Sequence, residues 1–255
     1  MSAADSTQRF SDRADAYAAA RPGYPAQMVA LLRDELRLPP RAVVADLGSG
    51  TGLSCLPFVQ AGFDVIGVEP NRAMRAAGDR FLAAYPNFRS VAGTAEATTL
   101  ADASVDLVIA AQAAHWFDAA AAHREARRIL RPPARAALIW NDRISTGSAF
   151  AEGYEQLLRD FGAEYEKIRH RHAHHELVAA FFGHAGFRHA VLPNPTAIDW
   201  PTLVARVQSA SYMPTPDAPT YAPMLARLRQ LFAAGERDGR VAMDYETRVF
   251  FGTLA

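Results

Sequence analysis

The chain of 255 residues has one cysteine, Cys55, so it cannot form an internal disulfide. That excludes a disulfide-framed secreted scaffold and fits a reducing, cytoplasmic compartment. Long apolar runs are missing too. Half of the residues are hydrophobic, yet no stretch approaches the ~20 apolar residues of a membrane span, so no membrane association is expected. The opening M-S-A-A-D-S-T-Q-R-F has no apolar h-region, and no signal peptide is expected. Excess charge is absent: Lys plus Arg and Asp plus Glu number 27 each. A nucleic-acid partner normally demands a basic face, so none is expected.

Histidines do cluster, as His170-Arg171-His172-Ala173-His174-His175, but without the company a metal needs. No H-E-x-x-H pattern or cysteine pair accompanies them, and Arg171 opposes a cation. A solvated helix or loop is expected there, and no metal site.

What the sequence does contain is concentrated in Val43 to Gly52, V-V-A-D-L-G-S-G-T-G. The apolar start reads as a buried parallel strand whose carboxyl end carries Asp46 and Leu47. Gly48, Gly50 and Gly52 follow at alternate positions, ahead of a helix-like segment from Leu53 to Ala61. Glycine permits a sharp turn and the close approach of a ligand. In an open α/β sheet, ligands bind in that strand-to-helix crevice. A dinucleotide fingerprint, G-x-G-x-x-G, would need a small residue at 53, where Leu53 stands. A nicotinamide oxidoreductase is therefore disfavoured.

A second strand, Phe63 to Val68, ends in Glu69-Pro70-Asn71. Glu69 lies 21 positions after Gly48, where a carboxylate can accept both hydroxyls of a ribose. Asn71 can cap a helix bearing Met74, whose thioether could cover an adenine or simply fill the core. Val91-Ala92-Gly93-Thr94-Ala95-Glu96 and the strand Asp106 to Gln112 come next.

In this order and spacing, acidic-x-G-x-G-x-G, acidic strand end, A-E loop and D-L-V strand resemble class I S-adenosylmethionine-dependent methyltransferases. The likeness extends over nearly the whole chain to the type 11 methyltransferase group. It implies an α/β Rossmann-like fold with a seven-stranded mixed sheet, flanking helices and a helical cap. It also implies S-adenosylmethionine as cofactor, held by Asp46, Gly48, Ser49, Gly50, Glu69, Pro70, Met74, Thr94, Ala95, Glu96 and Gln112. Where the family usually has Asp, this chain has Thr94, so the adenine amine would pass to Thr94, Glu96 or water. The leader Tyr17-x-x-x-Arg21-Pro22-x-Tyr24-Pro25 resembles that of trans-aconitate methyltransferase-like proteins. It suggests that Arg21 and Tyr17 hold the methionyl carboxylate.

The resemblance implies a small-molecule acceptor, met by a monomer or homodimer, and points to His115 and Trp116 beyond strand four, Asn141 at the end of strand five, and Tyr212. His115 is the candidate general base, since imidazole titrates near working pH. An activated methyl donor also permits catalysis by alignment alone, with His115 only lining the pocket. A catalytically silent cofactor-binding protein is the alternative of another class.

The expected organisation is one domain. Residues 1–40 form a helical leader ending at Leu38-Pro39-Pro40, and 41–143 form the cofactor-binding core. Residues 144–235 supply a cap, and 236–255 a final strand. Val191 to Trp200 is expected as one extended edge strand.

Overall fold

The computed structural model describes residues 21–163, 165, 174–210 and 212–255. Tyr17 and most of the histidine cluster, His170 and His172 included, lie outside them. Helix α1 (Ala26–Glu35) ends ahead of the Pro39-Pro40 stop. Strand β1 (Val43–Leu47), α2 (Cys55–Gln60), β2 (Asp64–Val68), α3 (Arg72–Phe81), β3 (Phe88–Val91) and β4 (Val105–Ala111) then alternate. Helix α4 (Ala119–Ile129) leads directly into the long β5 (Leu130–Arg143). The rest comprises α5 (Ala149–Phe161), α6 (His174–Phe182), β6 (Arg188–Asn194), β7 (Ala197–Asp199), α7 (Trp200–Gln208), α8 (Tyr221–Gly235), β8 (Arg240–Ala242) and β9 (Tyr245–Thr253).

The fold is α/β and Rossmann-like. Seven strands make one mixed sheet in the order β3-β2-β1-β4-β5-β9-β6. Strands β1 to β5 run parallel, whereas β9 is antiparallel to both β5 and β6. The apolar runs of β1, β2, β4 and the second half of β5 fit burial on both faces, and Val44, Leu107, Val108 and Ile139 are wholly inaccessible. One apolar core lies on each face of the sheet, the first with Ile129, Trp140 and Phe181, the second with Leu32, Phe58 and Ile109. A third core belongs to the cap, where α5, α7 and α8 bury Leu157, Leu203 and Leu228 around Met243. The sheet order reverses at β1, whose neighbours are β2 and β4, and that switch point is where a ligand crevice opens.

One expectation needs correction. The extended segment Val191 to Trp200 is two strands, not one. Strand β6 edges the main sheet, while β7 pairs with β8 in a separate two-stranded sheet. The break falls at Pro195, which has no N–H to donate, and at Thr196, whose amide bonds Asp244 Oδ1 at 3.1 Å.

Candidate active site

Strand β1 delivers Asp46 to the crevice fully buried. Its Oδ2 accepts hydrogen bonds from Ser54 Oγ at 2.5 Å and Cys55 Sγ at 3.2 Å. Its Oδ1 is sealed from solvent and, among the described residues, has no partner. Burial pushes the Asp46 carboxyl up to about 7, and the nearby Glu69 charge adds to the rise. The Cys55 thiol is likewise pushed up by burial, then by Asp46, so it acts as a small buried hydrophobe and not as a nucleophile.

The glycine loop turns back over β2. Gly48 and Ser49 donate their amides to the Val68 carbonyl at 2.8 and 3.2 Å. Gly48 has φ +71°, and a Cβ there would stand 2.7 Å from Ala113 Cβ. Gly50, at φ +55°, faces more open space, bounded by Met74 Cε at 3.4 Å from the position of an added Cβ. Met74 itself is buried, so its methyl packs beneath the loop. Two glycines that sequence reasoning passed over make this seating possible. A Cβ on Gly67 would strike Ser49 Oγ at 2.7 Å, and one on Gly78 of α3 would lie 3.3 Å from the Gly50 carbonyl. Neither belongs to a local motif, so only the tertiary approach reveals them.

Glu69 ends β2 as the spacing requires. Its Oε2 accepts from the Gly50 amide at 2.9 Å and its Oε1 from the Asn71 amide at 2.8 Å. Burial raises its pKa, against the lowering effect of those two amides and of Arg75. Asn71 caps α3, accepting from Ala73 and Met74 amides at 2.9 and 3.1 Å. Pro70 is exposed beside it.

Beyond β3, Thr94 and Ala97 exchange backbone hydrogen bonds of 3.1 and 3.2 Å. This turn buries Ala95, while Glu96 Oε1 accepts from the Asp118 amide at 3.0 Å, at the start of α4. Gln112, just past β4, adopts φ +56°. Its side chain donates to the Asn141 carbonyl at 3.0 Å. Asp46, Ser49, Gly50, Glu69 and Met74 are thus gathered at the ends of β1 and β2, with Gln112 at the adjoining end of β4.

The candidate acceptor residues are more dispersed. His115 and Trp116 sit in an exposed helical turn, rings tilted at 4.8 Å, with Trp116 44% exposed. Asn141 is buried, and its side chain is spent on the scaffold. Its Nδ2 donates to the Gly23 carbonyl at 3.0 Å, and its Oδ1 accepts from Thr247 Oγ1 at 2.6 Å and Asn194 Nδ2 at 3.3 Å. Asn194 Nδ2 also donates to Gly23, at 2.9 Å. The leader segment that follows the exposed Arg21 is thereby tied to the ends of β5 and β6.

Tyr212 lies farther into the cap, its ring 5.2 Å from that of Tyr165. Around it is a polar cluster that no sequence motif announced. Arg143, at the end of β5, pairs with Glu155 and lies over the Tyr154 ring at 4.9 Å. The Tyr165 hydroxyl donates to Glu155 Oε2 at 2.9 Å. Although burial alone would raise it, the hydrogen bonds from Tyr165 and Arg143 hold the Glu155 carboxyl below its usual value. Buried Arg206 donates to the Tyr245 hydroxyl at 2.9 Å. Among the described residues, no group of three or more His, Cys, Asp or Glu could hold a metal ion, and no helix is long and apolar enough to cross a membrane.

Comparison with known proteins agrees with this architecture. A methyltransferase-domain family profile matches residues 45–138. An uncharacterized methyltransferase of Mycobacterium tuberculosis is 33% identical over 267 residues, covering 98% of each chain. The chain belongs to the methyltransferase family. A methyltransferase-like protein of Schizosaccharomyces pombe is 37% identical over 138 residues, 53% of this chain and 52% of that one. Among solved structures, a candidate type II methyltransferase from Anaeromyxobacter dehalogenans superposes with a TM-score of 0.64 at 23% identity, covering 91% of this chain and 97% of that chain. One from an antibiotic biosynthesis pathway of Anabaena variabilis gives 0.62 at 20% identity, covering 92% and 99%. These two likenesses speak to the fold of the methyltransferase, which they share along nearly its whole length.

Proposed function

We propose that this methyltransferase uses S-adenosylmethionine and methylates an O, N or C nucleophile of a small-molecule acceptor. The observation that carries the reading is the sealed, partnerless Oδ1 of Asp46 beside a glycine loop whose Gly50 face is open. A buried carboxylate oxygen without a partner is costly, and a cationic amino group held by a carbonyl of the adjoining glycine loop would offset that cost through its charge. Glu69, held by two backbone amides, keeps lone pairs for the two hydroxyls of a ribose. The same crevice has no helix amino terminus arranged on G-x-G-x-x-G spacing for a pyrophosphate.

Asp46, Gly48, Ser49, Gly50, Glu69, Met74 and Gln112 would hold the cofactor, with Thr94, Ala95 and Glu96 toward its base and Arg21 and Tyr17 toward its carboxylate. The cofactor supplies an already activated methyl on sulfur. The protein's part is then to align the acceptor and keep water out, and His115 lines the approach without needing to take a proton. The leader motif, of which Arg21 and Tyr24 are described, supports placing the chain in the trans-aconitate methyltransferase-like branch. Calorimetry tests the reading: S-adenosylmethionine and S-adenosylhomocysteine should bind and NAD should not. Tight binding of NAD with no response to S-adenosylhomocysteine would overturn it.

A further inference from the structure

Where the acceptor sits follows from tracing the strand ends outward. Gln112 bonds the Asn141 carbonyl, Arg143 stands two residues farther along β5, and Tyr245 of β9 is Arg143's partner in register. The polar cluster of the cap therefore adjoins the ligand end of β4. Tyr154 is at its centre, only 4% exposed. Among the described residues its hydroxyl makes no hydrogen bond, yet it is not sealed off as Asp46 Oδ1 is. Arg143, Arg206, Tyr212 and Tyr245 are all close enough to influence its charge. The Tyr212 hydroxyl, also largely buried, makes no hydrogen bond among the described residues either. Both rings belong to one cluster, since Arg143 lies over Tyr154 and reaches the Tyr165 hydroxyl at 3.4 Å, and the Tyr165 ring is 5.2 Å from that of Tyr212. A phenol taken from water loses free energy unless its hydroxyl finds a partner, so two unbonded hydroxyls in one cluster mark a place for a polar ligand.

The chemistry of that ligand can be read from what surrounds it. Donors dominate: the guanidiniums of Arg21, Arg143 and Arg206 and the phenols of Tyr154, Tyr165, Tyr212 and Tyr245 surround a single carboxylate, Glu155. Glu155 is already engaged by Arg143 and Tyr165, with Arg159 at 3.5 Å. The aromatic faces that would attract a cationic acceptor are taken as well, since Arg143 covers Tyr154 at 4.9 Å and Arg206 covers Tyr245 at 5.5 Å. An ammonium brought here would meet two like charges in a desolvated place, whereas an oxygen lone pair would meet hydroxyl donors. Gly162 lets the wall close, because a Cβ on it would stand 3.1 Å from both Tyr165 and Tyr212 side chains. The Ala163 amide, bonded to the Tyr212 carbonyl at 2.8 Å, fixes that approach.

We infer that the acceptor is positioned by the Tyr154 and Tyr212 hydroxyls, and that it presents to them a hydrogen-bond-accepting oxygen and not a cationic nitrogen. The oxygen can belong to a carbonyl or to an oxyanion. This deepens the methyl-transfer reading and rests on it.

The test uses the full chain with and without S-adenosylhomocysteine, titrated with aryl and alkyl skeletons each presented as carboxylate, primary amide and amine. The oxygen-bearing members should bind and the amines should not. Tyr154→Phe and Tyr212→Phe, which remove one oxygen each, should weaken the oxygen-bearing probes by roughly three- to tenfold, the value of one hydrogen bond, at unchanged S-adenosylhomocysteine affinity. Comparing the carboxylate with the amide separates an oxyanion from a carbonyl. Amines binding as well as amides, no binding by any probe, or full affinity in both phenylalanine variants would overturn the inference. Failure of S-adenosylhomocysteine to bind would instead overturn the cofactor reading, while the probe titrations without it still report on the cluster.

Discussion

The Gly50 amide donates to Glu69 Oε2 at 2.9 Å, so the open face of the glycine loop and the acid at the end of β2 are one hydrogen-bonded unit. A change at either residue is therefore felt in both halves of the crevice. Glu69→Gln keeps the shape and one acceptor oxygen, while Glu69→Ala releases both the Gly50 and Asn71 amides. Cofactor binding should weaken by about 1–3 kcal/mol in Glu69→Ala, and by less in Glu69→Gln. Calorimetry with S-adenosylhomocysteine gives the order directly; equal affinity in all three proteins would remove Glu69 from the ribose.

Substitution within the loop should divide by position. Gly48→Ala puts a Cβ 2.7 Å from Ala113 in a left-handed backbone, so it should lower the melting temperature and impair the fold. Gly50→Ala meets only Met74 Cε at 3.4 Å. It should fold with a loss of about 1–2 kcal/mol from its positive φ. Gly50→Val should also leave a folded chain but abolish S-adenosylhomocysteine binding. Thermal melts and titrations on the three variants decide it, and a Gly50→Val protein with native affinity would speak against the loop as cradle.

Asp46 should make both stability and binding depend on pH. Its folded pKa of about 7 lies above the ordinary carboxylate value. Between about pH 4 and 7 the folded chain holds a proton that the unfolded chain has released. Its contribution to stability is therefore present at low pH and is lost as pH rises through about 7. Asp46→Asn should flatten that part of the stability profile. A cationic amino group on the adjoining glycine loop favours the ionised form, so binding of S-adenosylhomocysteine should release a proton near pH 6. Calorimetry in buffers of different ionisation enthalpy measures the release. No buffer dependence would place the amino group elsewhere.

His115 lies in an exposed turn beside Trp116. His115→Ala should leave cofactor affinity unchanged and mainly raise the acceptor KM. A loss of ~10²–10⁴-fold in kcat with KM unchanged would make it a general base instead.

The glycine-loop half of the crevice was legible because its signals are local. Asp46 and the three glycines lie within seven residues, Glu69 ends an apolar run, and Asn71 stands where a cap belongs. The cap was not legible in the same way. Arg143, Tyr154, Glu155, Tyr165, Arg206 and Tyr245 come from five separate segments, and nothing in the neighbourhood of any one of them names the others. Asn141 shows the same limit. A strand-end asparagine suggests a ligand contact, but Gly23, Asn194 and Thr247 converge on it from three distant places. Tyr212, Arg143 and Tyr245 could be named from their segments, whereas Tyr154, Glu155, Tyr165 and Arg206 could not.

The contact at Gly78 has a mechanical consequence. Where Gly78 faces the Gly50 carbonyl there is no Cβ, so at that contact backbone rests on backbone and no side chain can rotate to absorb a displacement. Loop and helix must then open and close as one cooperative block, and amide hydrogens on both should exchange together. On the other flank, hydrogen-bonded side chains and not packed main chain join the leader to the strands, and a side chain can rotate where main chain cannot. The crevice is stiff on one bank and adjustable on the other.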